Sequence, residues 1–259
     1  MRIVRVTATE VVVRANPGAI ESPGLNKPLH KIPVRGTKSW THQFDELPKV
    51  VIELELADGT VGLGELYRSH DWMTVDGIAN VLLGQDIREL CRQDLPFAKV
   101  REHDGFEIAI WDAYAKLHGL RVVDLLGGPV RDRVAVGAWT GIRRDDEVGP
   151  LAKHYADLGF TCLKFKCSLD DDIVAWAAAV AGAAPGMQVI FDPNERFERP
   201  YETRRLAIRL AEIGNVLCLE DPIPHWMRDE YAELRRTSPV PIVRHIALPY
   251  PVLGNRIQD

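Results

Sequence analysis

The stretch TCLKFKCSLD (residues 161–170) sets Lys164 and Lys166 two positions apart in an otherwise apolar segment. Side chains alternate along a strand, so both ammonium groups leave one face while Leu163 and Phe165 leave the other. Two explanations compete: a solvated edge whose lysines snorkel to water, or a site that aims two cations at one point. Two later apolar segments bear on the choice. MQVIFD ends in Asp192, with Asn194 two residues on, and VLCLED presents Glu220 followed by Asp221. Asp192 lies 26 residues after Lys166 and Glu220 lies 28 after Asp192, about one strand-helix repeat each. Alone, each acid reads as a strand-end or helix-cap carboxylate. Three consecutive strand ends in register favour a common site.

The chemistry of such a set is specific. Carboxylates converging from neighbouring strands suit a hard, oxygen-seeking cation such as Mg²⁺. Adjacent lysines disfavour each other's charge, which brings one of them towards the range of a useful base. With a substrate carboxylate held by the metal, the neighbouring carbon is acidified. An enediolate is then stabilised by metal and ammonium while the second lysine takes the proton.

The elements that must position these residues follow from the pattern of the second half. After about residue 130, strand and helix segments alternate: RVAVGAWTG, then DEVGPLAKHYADLG closed by Gly159, then CLKFK. Ser168 is expected to cap the next helix, with Asp170, Asp171 and Asp172 in its first turn. MQVIFD, RPYETRRLAIRLAEIG, VLCLED, WMRDEYAELRRTS and PIVRHIAL complete five strands separated by four helices. Repeats of this length predict a parallel sheet, either open and doubly wound or a (β/α)₈ barrel. No GxGxxG or GxxxxGK[ST] follows any strand, which weighs against nucleotide binding. The first half differs. IVRVTATEVVV and KVVIELELADGTVGLGE read as strands, with Asp58-Gly59 as a hairpin turn. FEIAIWDAYAKLHG reads as a helix stopped by Gly119. Between the first two strands runs a long Pro/Gly-studded loop carrying Lys27, His30, Lys31, Arg35, Lys38, Trp40 and His42. It reads as a solvated loop or as a lid for an anionic substrate.

Composition bounds the rest. The chain has 259 residues, 46% of them hydrophobic and 27% charged, with a net charge of −5. The mild acidity argues against nucleic acid and anionic membranes, whose partners are basic. The longest apolar run, residues 173–184, falls short of a membrane span. The four cysteines show no CxxC spacing and read as reduced thiols. A cytoplasmic location is expected.

GTVGLGE (59–65), EIAIWDAYAKLHGLRVVDLLGG (107–128), LKFK (163–166), FDPNERF (191–197) and LEDPI (219–223) together resemble the mandelate racemase and muconate lactonizing branch of the enolase superfamily. The resemblance implies an α+β capping domain over residues 1–128, then a (β/α) barrel of the TIM type from 129 to 259, incomplete with about five of eight strands. It implies Mg²⁺ as cofactor, Lys166 as base and Lys164 as support for the enolate oxygen. Asp192 and Glu220 correspond to metal ligands, with Asn194 nearby as a substrate-binding residue. The long loop, with Lys27, His30 and Trp40, corresponds to a specificity lid. The implied reaction is abstraction of the proton α to a carboxylate in a small substrate, a sugar acid fitting best. The product-forming step would be that of a dehydratase-type lyase or a related racemase or cycloisomerase.

Two departures qualify this. The family usually carries a third acidic ligand at the fifth barrel strand, whereas VPIVRHIALPYP (240–251) has no carboxylate and His245 is its nearest capable donor. Three further βα units and the family's His–Asp dyad do not appear before Asp259. The expectation is therefore a C-terminally truncated member, with homo-oligomerisation as one way to cover the open edges. A non-catalytic remnant with weak metal binding is the alternative reading. A Schiff-base aldolase-like barrel is a third, opposed by the acids on the next two strands.

Overall fold

The computed structural model describes residues 1–25, 46–66, 70–90 and 94–245. They divide into two compact units.

One unit comprises residues 1–14 and 46–134. Strands β1 (Ile3–Arg14), β2 (Glu46–Leu56) and β3 (Val61–Leu66) form an antiparallel sheet in the order β1-β2-β3. The turn between β2 and β3 falls on the expected pair: Gly59 adopts φ +87° and Asp58 Oδ1 accepts the Thr60 N–H. Alternation within IELEL buries Ile52, Leu54 and Leu56 and turns Glu53 and Glu55 away from the core. Helices α1 (Trp72–Leu82), α2 (His103–Leu117) and the short α3 (Val122–Leu125) complete the unit. Ile78, Phe106 and Ile110 join the sheet's apolar face in one core. The GTVGLGE glycines have a packing reason. A Cβ at Gly64 would stand 1.9 Å from the Gly105 carbonyl oxygen, and one at Gly62 would stand 2.2 Å from that of Ala109. Only bare backbone lets β3 lie this close to α2.

The second unit comprises residues 15–25 and 135–245. Strands β4 (Ala138–Thr140), β5 (Cys162–Lys166), β6 (Gln188–Asp192), β7 (Val216–Glu220) and β8 (Ile242–Val243) pair in parallel in sequence order. Helices α4 (Asp145–Asp157), α5 (Ile173–Ala183), α6 (Pro200–Ile213) and α7 (Arg228–Thr237) connect them. Leu163, Phe165, Val189, Phe191 and Leu219 pack with Trp176, Ala177, Leu210 and Leu234. The Trp176 indole N–H also donates to Asp145 Oδ1 at 2.6 Å, tying α5 to α4. Gly214, at φ +82°, ends α6.

Three local expectations need correction. Ser168 does not cap α5. Its hydroxyl and N–H both bond Asp171 Oδ2, and the helix begins at Ile173 with Asp172 accepting the Ala175 N–H. A nearby carboxylate captured the serine for a turn first. Of RVAVGAWTG only Ala138–Thr140 forms a strand, and of PIVRHIAL only Ile242–Val243 does so among the described residues.

Residues 15–25 are fastened to the β4–α4 connection. The buried Arg143 guanidinium donates to the carbonyls of Gly18 (2.8 Å) and Ala19 (2.9 Å) and to Thr140 Oγ1 (2.5 Å). Ser22, fully buried, accepts the Arg144 N–H at 3.0 Å and donates to Glu147. No described helix is long and apolar enough to cross a membrane.

Candidate active site

The site forms where β5, β6 and β7 end. Leu163 and Phe165 are buried on the helix side of β5, so Lys164 and Lys166 emerge on the opposite face. Lys166 pairs in register with Asp192 and Lys164 with Ile190. The β6–β7 register shifts between Val189 and Ile190, where Val189 opposes Val216 but Ile190 opposes Cys218. The extra residue, Leu217, is a bulge. Without it, Leu219 rather than Glu220 would stand level with Asp192. The bulge puts Glu220 on the face that carries the lysines.

The side chains converge. Lys164 Nζ lies 2.8 Å from Asp192 Oδ2 and 2.6 Å from Glu220 Oε1, bridging two strand ends, and Lys166 Nζ bonds the same Asp192 Oδ2. Asp192 is fully buried and Lys166 nearly so, while Lys164 is half-buried. These surroundings separate the two lysines. Burial pulls Lys164 down, but the Asp192 and Glu220 carboxylates outweigh it and hold its ammonium above the ordinary range. For Lys166 burial wins over Asp192, with the Lys164 charge adding to it, and the amine falls below its ordinary value. Burial raises Asp192, yet Lys166 and Lys164 together hold it ionised, below the usual carboxylate range.

Asn194 sits in the left-handed region at φ 47° and donates its backbone N–H to Asp192 Oδ1 at 3.0 Å. Its own Oδ1 is buried without a hydrogen-bond partner. His245 is exposed, with Nδ1 3.4 Å from Glu220 Oε1. Donor atoms of Glu220, Asp221 and His245 lie within 4.8 Å of one another. Asp221 Oδ1 is already engaged by the His245 N–H at 2.7 Å. Two carboxylates and a histidine at and just beyond the ends of β7 and β8 form this cluster, and carboxylate oxygens are the donors a hard divalent cation prefers. Asp192 stands at the neighbouring strand end, its Oδ2 held by both lysines. Lys27, His30 and Trp40 lie outside the described residues.

Sequence reasoning missed His225 and Glu195. His225 stands in the β7–α7 loop, with Nδ1 3.1 Å from Glu195 Oε1 and Nε2 2.8 Å from Asp221 Oδ1. The available signal was a histidine five residues after a strand-end acid, in LEDPIPH. It gains meaning only once the two loops are adjacent.

An α+β unit followed by five parallel strands with connecting helices is consistent with an incomplete (β/α) barrel, its lysines and acids gathered at the C-terminal ends of neighbouring strands. Residues 147–245 match the family described as enolase C-terminal domain-like. This stretch of the chain is therefore similar to the C-terminal domain of enolase-type enzymes. The chain is 28% identical over 226 residues to a D-galactarolactone cycloisomerase of Agrobacterium fabrum, covering 79% of this chain and 59% of that protein. It is 27% identical over 216 residues to a D-galactonate dehydratase of Ralstonia nicotianae, covering 74% and 56%. Among solved structures it resembles a dipeptide epimerase from Enterococcus faecalis complexed with Mg and a dipeptide. There the TM-score is 0.76 and the identity 17%, over 94% of this chain and 68% of that one. The chain spans about three fifths of the length of the curated relatives it matches.

Proposed function

We propose that this chain carries the proton-abstracting lysines of a Mg²⁺-dependent enzyme acting at the carbon α to a carboxylate, with a sugar acid as substrate and a dehydratase-type elimination, or a related racemisation or cycloisomerisation, as outcome. One observation carries the reading: two lysines converge on one buried aspartate, with a second strand-end acid beside it.

Asp192 and Glu220 would hold the metal, with His245 at the rim as the third protein donor. The bound cation would draw charge from the substrate carboxylate and acidify its α carbon. Lys166, with its amine lowered by burial, takes the α proton at Nζ. Lys164, the less buried of the two lysines, donates to the oxygen on which negative charge develops in the enediolate. Asn194 fixes Asp192 through its backbone N–H. Lys27, His30 and Trp40 would meet the substrate's polar end. The sugar-acid preference rests on the basic character of the 26–45 segment and on the relatives that act on galactonate and galactarolactone.

The test is α-proton exchange in D₂O, followed by NMR across a panel of sugar acids with Mg²⁺ present. Exchange on at least one acid, lost on chelation and reduced at least ~100-fold in Lys166→Ala, supports the reading. Full exchange in Lys166→Ala overturns the base role. No exchange on any acid favours a non-catalytic remnant.

A further inference from the structure

We infer that His225 is a positioning residue for the Asp192–Glu220 pair: with Glu195 and Asp221 it forms a carboxylate–imidazole–carboxylate clasp that locks the β6–α6 loop to the β7–α7 loop. This rests on the proposed metal site.

The clasp begins immediately after the two acids it would position. Asp221 follows Glu220, and Glu195 lies three residues beyond Asp192. The imidazole stands between the two carboxylates, Nδ1 3.1 Å from Glu195 Oε1 and Nε2 2.8 Å from Asp221 Oδ1, the second being an ion-pair contact without the geometry of a hydrogen bond. A ring facing an acid at each nitrogen favours the doubly protonated form, which offers a positive charge to both. The flanking backbone closes around this contact. The His225 N–H donates to Glu195 Oε1 at 3.1 Å, the Glu195 N–H to the Asp221 carbonyl at 2.7 Å, and the Phe197 N–H to the Pro222 carbonyl at 3.1 Å. Asp221 Oδ1 also accepts the His245 N–H, which extends the clasp to the end of β8. Below the ring, Tyr231 lies 6.4 Å away centroid to centroid, anchored by its hydroxyl to the Ile223 carbonyl at 2.6 Å. The Arg244 guanidinium stands 5.9 Å from the Tyr231 ring.

Backbone strain marks the same residues. Glu195 holds φ of 67°, a region that most residues with a Cβ avoid, and Asn194 and Asp221, of types that enter it more readily, flank it at 47°. Such conformations persist where the surroundings over-determine them and cluster at functional sites. Without the imidazole, the Glu195 and Asp221 carboxylates would face each other with no cation between them. Repulsion and relaxing backbone would then act one peptide from Glu220 and three from Asp192. Residues that orient metal ligands typically contribute about 10- to 100-fold in affinity.

The experiment is a Mn²⁺ titration read by electron paramagnetic resonance on the full chain, together with thermal unfolding in the absence of metal. The proteins are wild type, Asp192→Asn, His225→Ala, Glu195→Gln and the His225→Ala/Glu195→Gln double variant. The expected result is Asp192-dependent binding in wild type that weakens about ten-fold or more in His225→Ala. It should weaken little further in the double variant, at temperatures where every protein remains folded. Unchanged Mn²⁺ affinity in His225→Ala overturns the positioning role. If wild type shows no Asp192-dependent binding, the metal-site reading itself fails. The clasp is then judged by unfolding: non-additive shifts of the two single variants support it, and additive shifts overturn it.

Discussion

At the scale of single residues, the site is governed by how burial and charge divide the two lysines. Lys164 meets two carboxylates and stays cationic, while Lys166 meets one and is more deeply buried. The same arrangement has a cost if it is broken. Asp192 is fully buried against Lys166, so Asp192→Ala leaves a buried ammonium without its partner. We expect that variant to lose about 3 kcal/mol in urea-induced unfolding at neutral pH. Glu220→Ala, which removes an acid from the more solvated Lys164, should lose less. Equal losses would contradict the burial argument. Lys166, Asp192 and Glu220 stood out in the sequence because each is a charged residue at the end of a strand-like run, and Lys164 because it lies two positions before Lys166 on the same strand face. His225 did not, because its two partners lie 30 residues before it and four before it, on different loops.

At the scale of elements, close backbone approach and a buried hydroxyl carry more than the hydrophobic pattern shows. Gly64→Ala would drive a methyl into the Gly105 carbonyl across the β3–α2 contact, and should destabilise the chain by about 1–3 kcal/mol. Gly77→Ala, on an exposed position of α1 with nothing within 4 Å of the added Cβ, should instead stabilise by roughly 0.5–1 kcal/mol. Thermal unfolding of the two variants reads the opposite signs. The tie between residues 15–25 and α4 gives a pH-dependent prediction. The Ser22 hydroxyl, followed by Arg144 and Arg143, holds Glu147 below its ordinary 4.5. A depressed carboxylate contributes stability above its unfolded value and loses it as pH falls towards the folded one. Ser22→Ala should therefore cost ~1 kcal/mol at pH 7, discounted for the partial exposure of Glu147. That gap should narrow in unfolding measured below about pH 4.5. A constant gap would show that Glu147 takes no part. The strands and helices themselves were readable from periodicity. Their ends were less so, as Ser168 shows: it had the composition of a cap but was taken up by Asp171.

At the scale of the whole molecule, the described residues contain two apolar cores with no member in common, one under the antiparallel sheet and one between the parallel sheet and its helices. Ile110→Val in the first and Ile173→Val in the second should each cost about 0.5–1.5 kcal/mol. Their sum should match the double variant to within about 0.5 kcal/mol. A larger discrepancy in denaturant unfolding would reveal coupling between the cores. The sequence by itself determined the order of strands and helices, the charge at each strand end and the family that pattern resembles, because these are carried by local periodicity and by motifs a few residues long. Tertiary structure alone decided which acids stand level with the lysines. Glu220 reaches Asp192 only because Leu217 is bulged out of register, and a bulge reflects how two strands fit each other. It likewise decided that Lys166 rather than Lys164 is the lysine with the lowered amine, since burial and the count of facing carboxylates exist only after folding. The His225 clasp has the same origin, in the meeting of two loops that the sequence keeps apart.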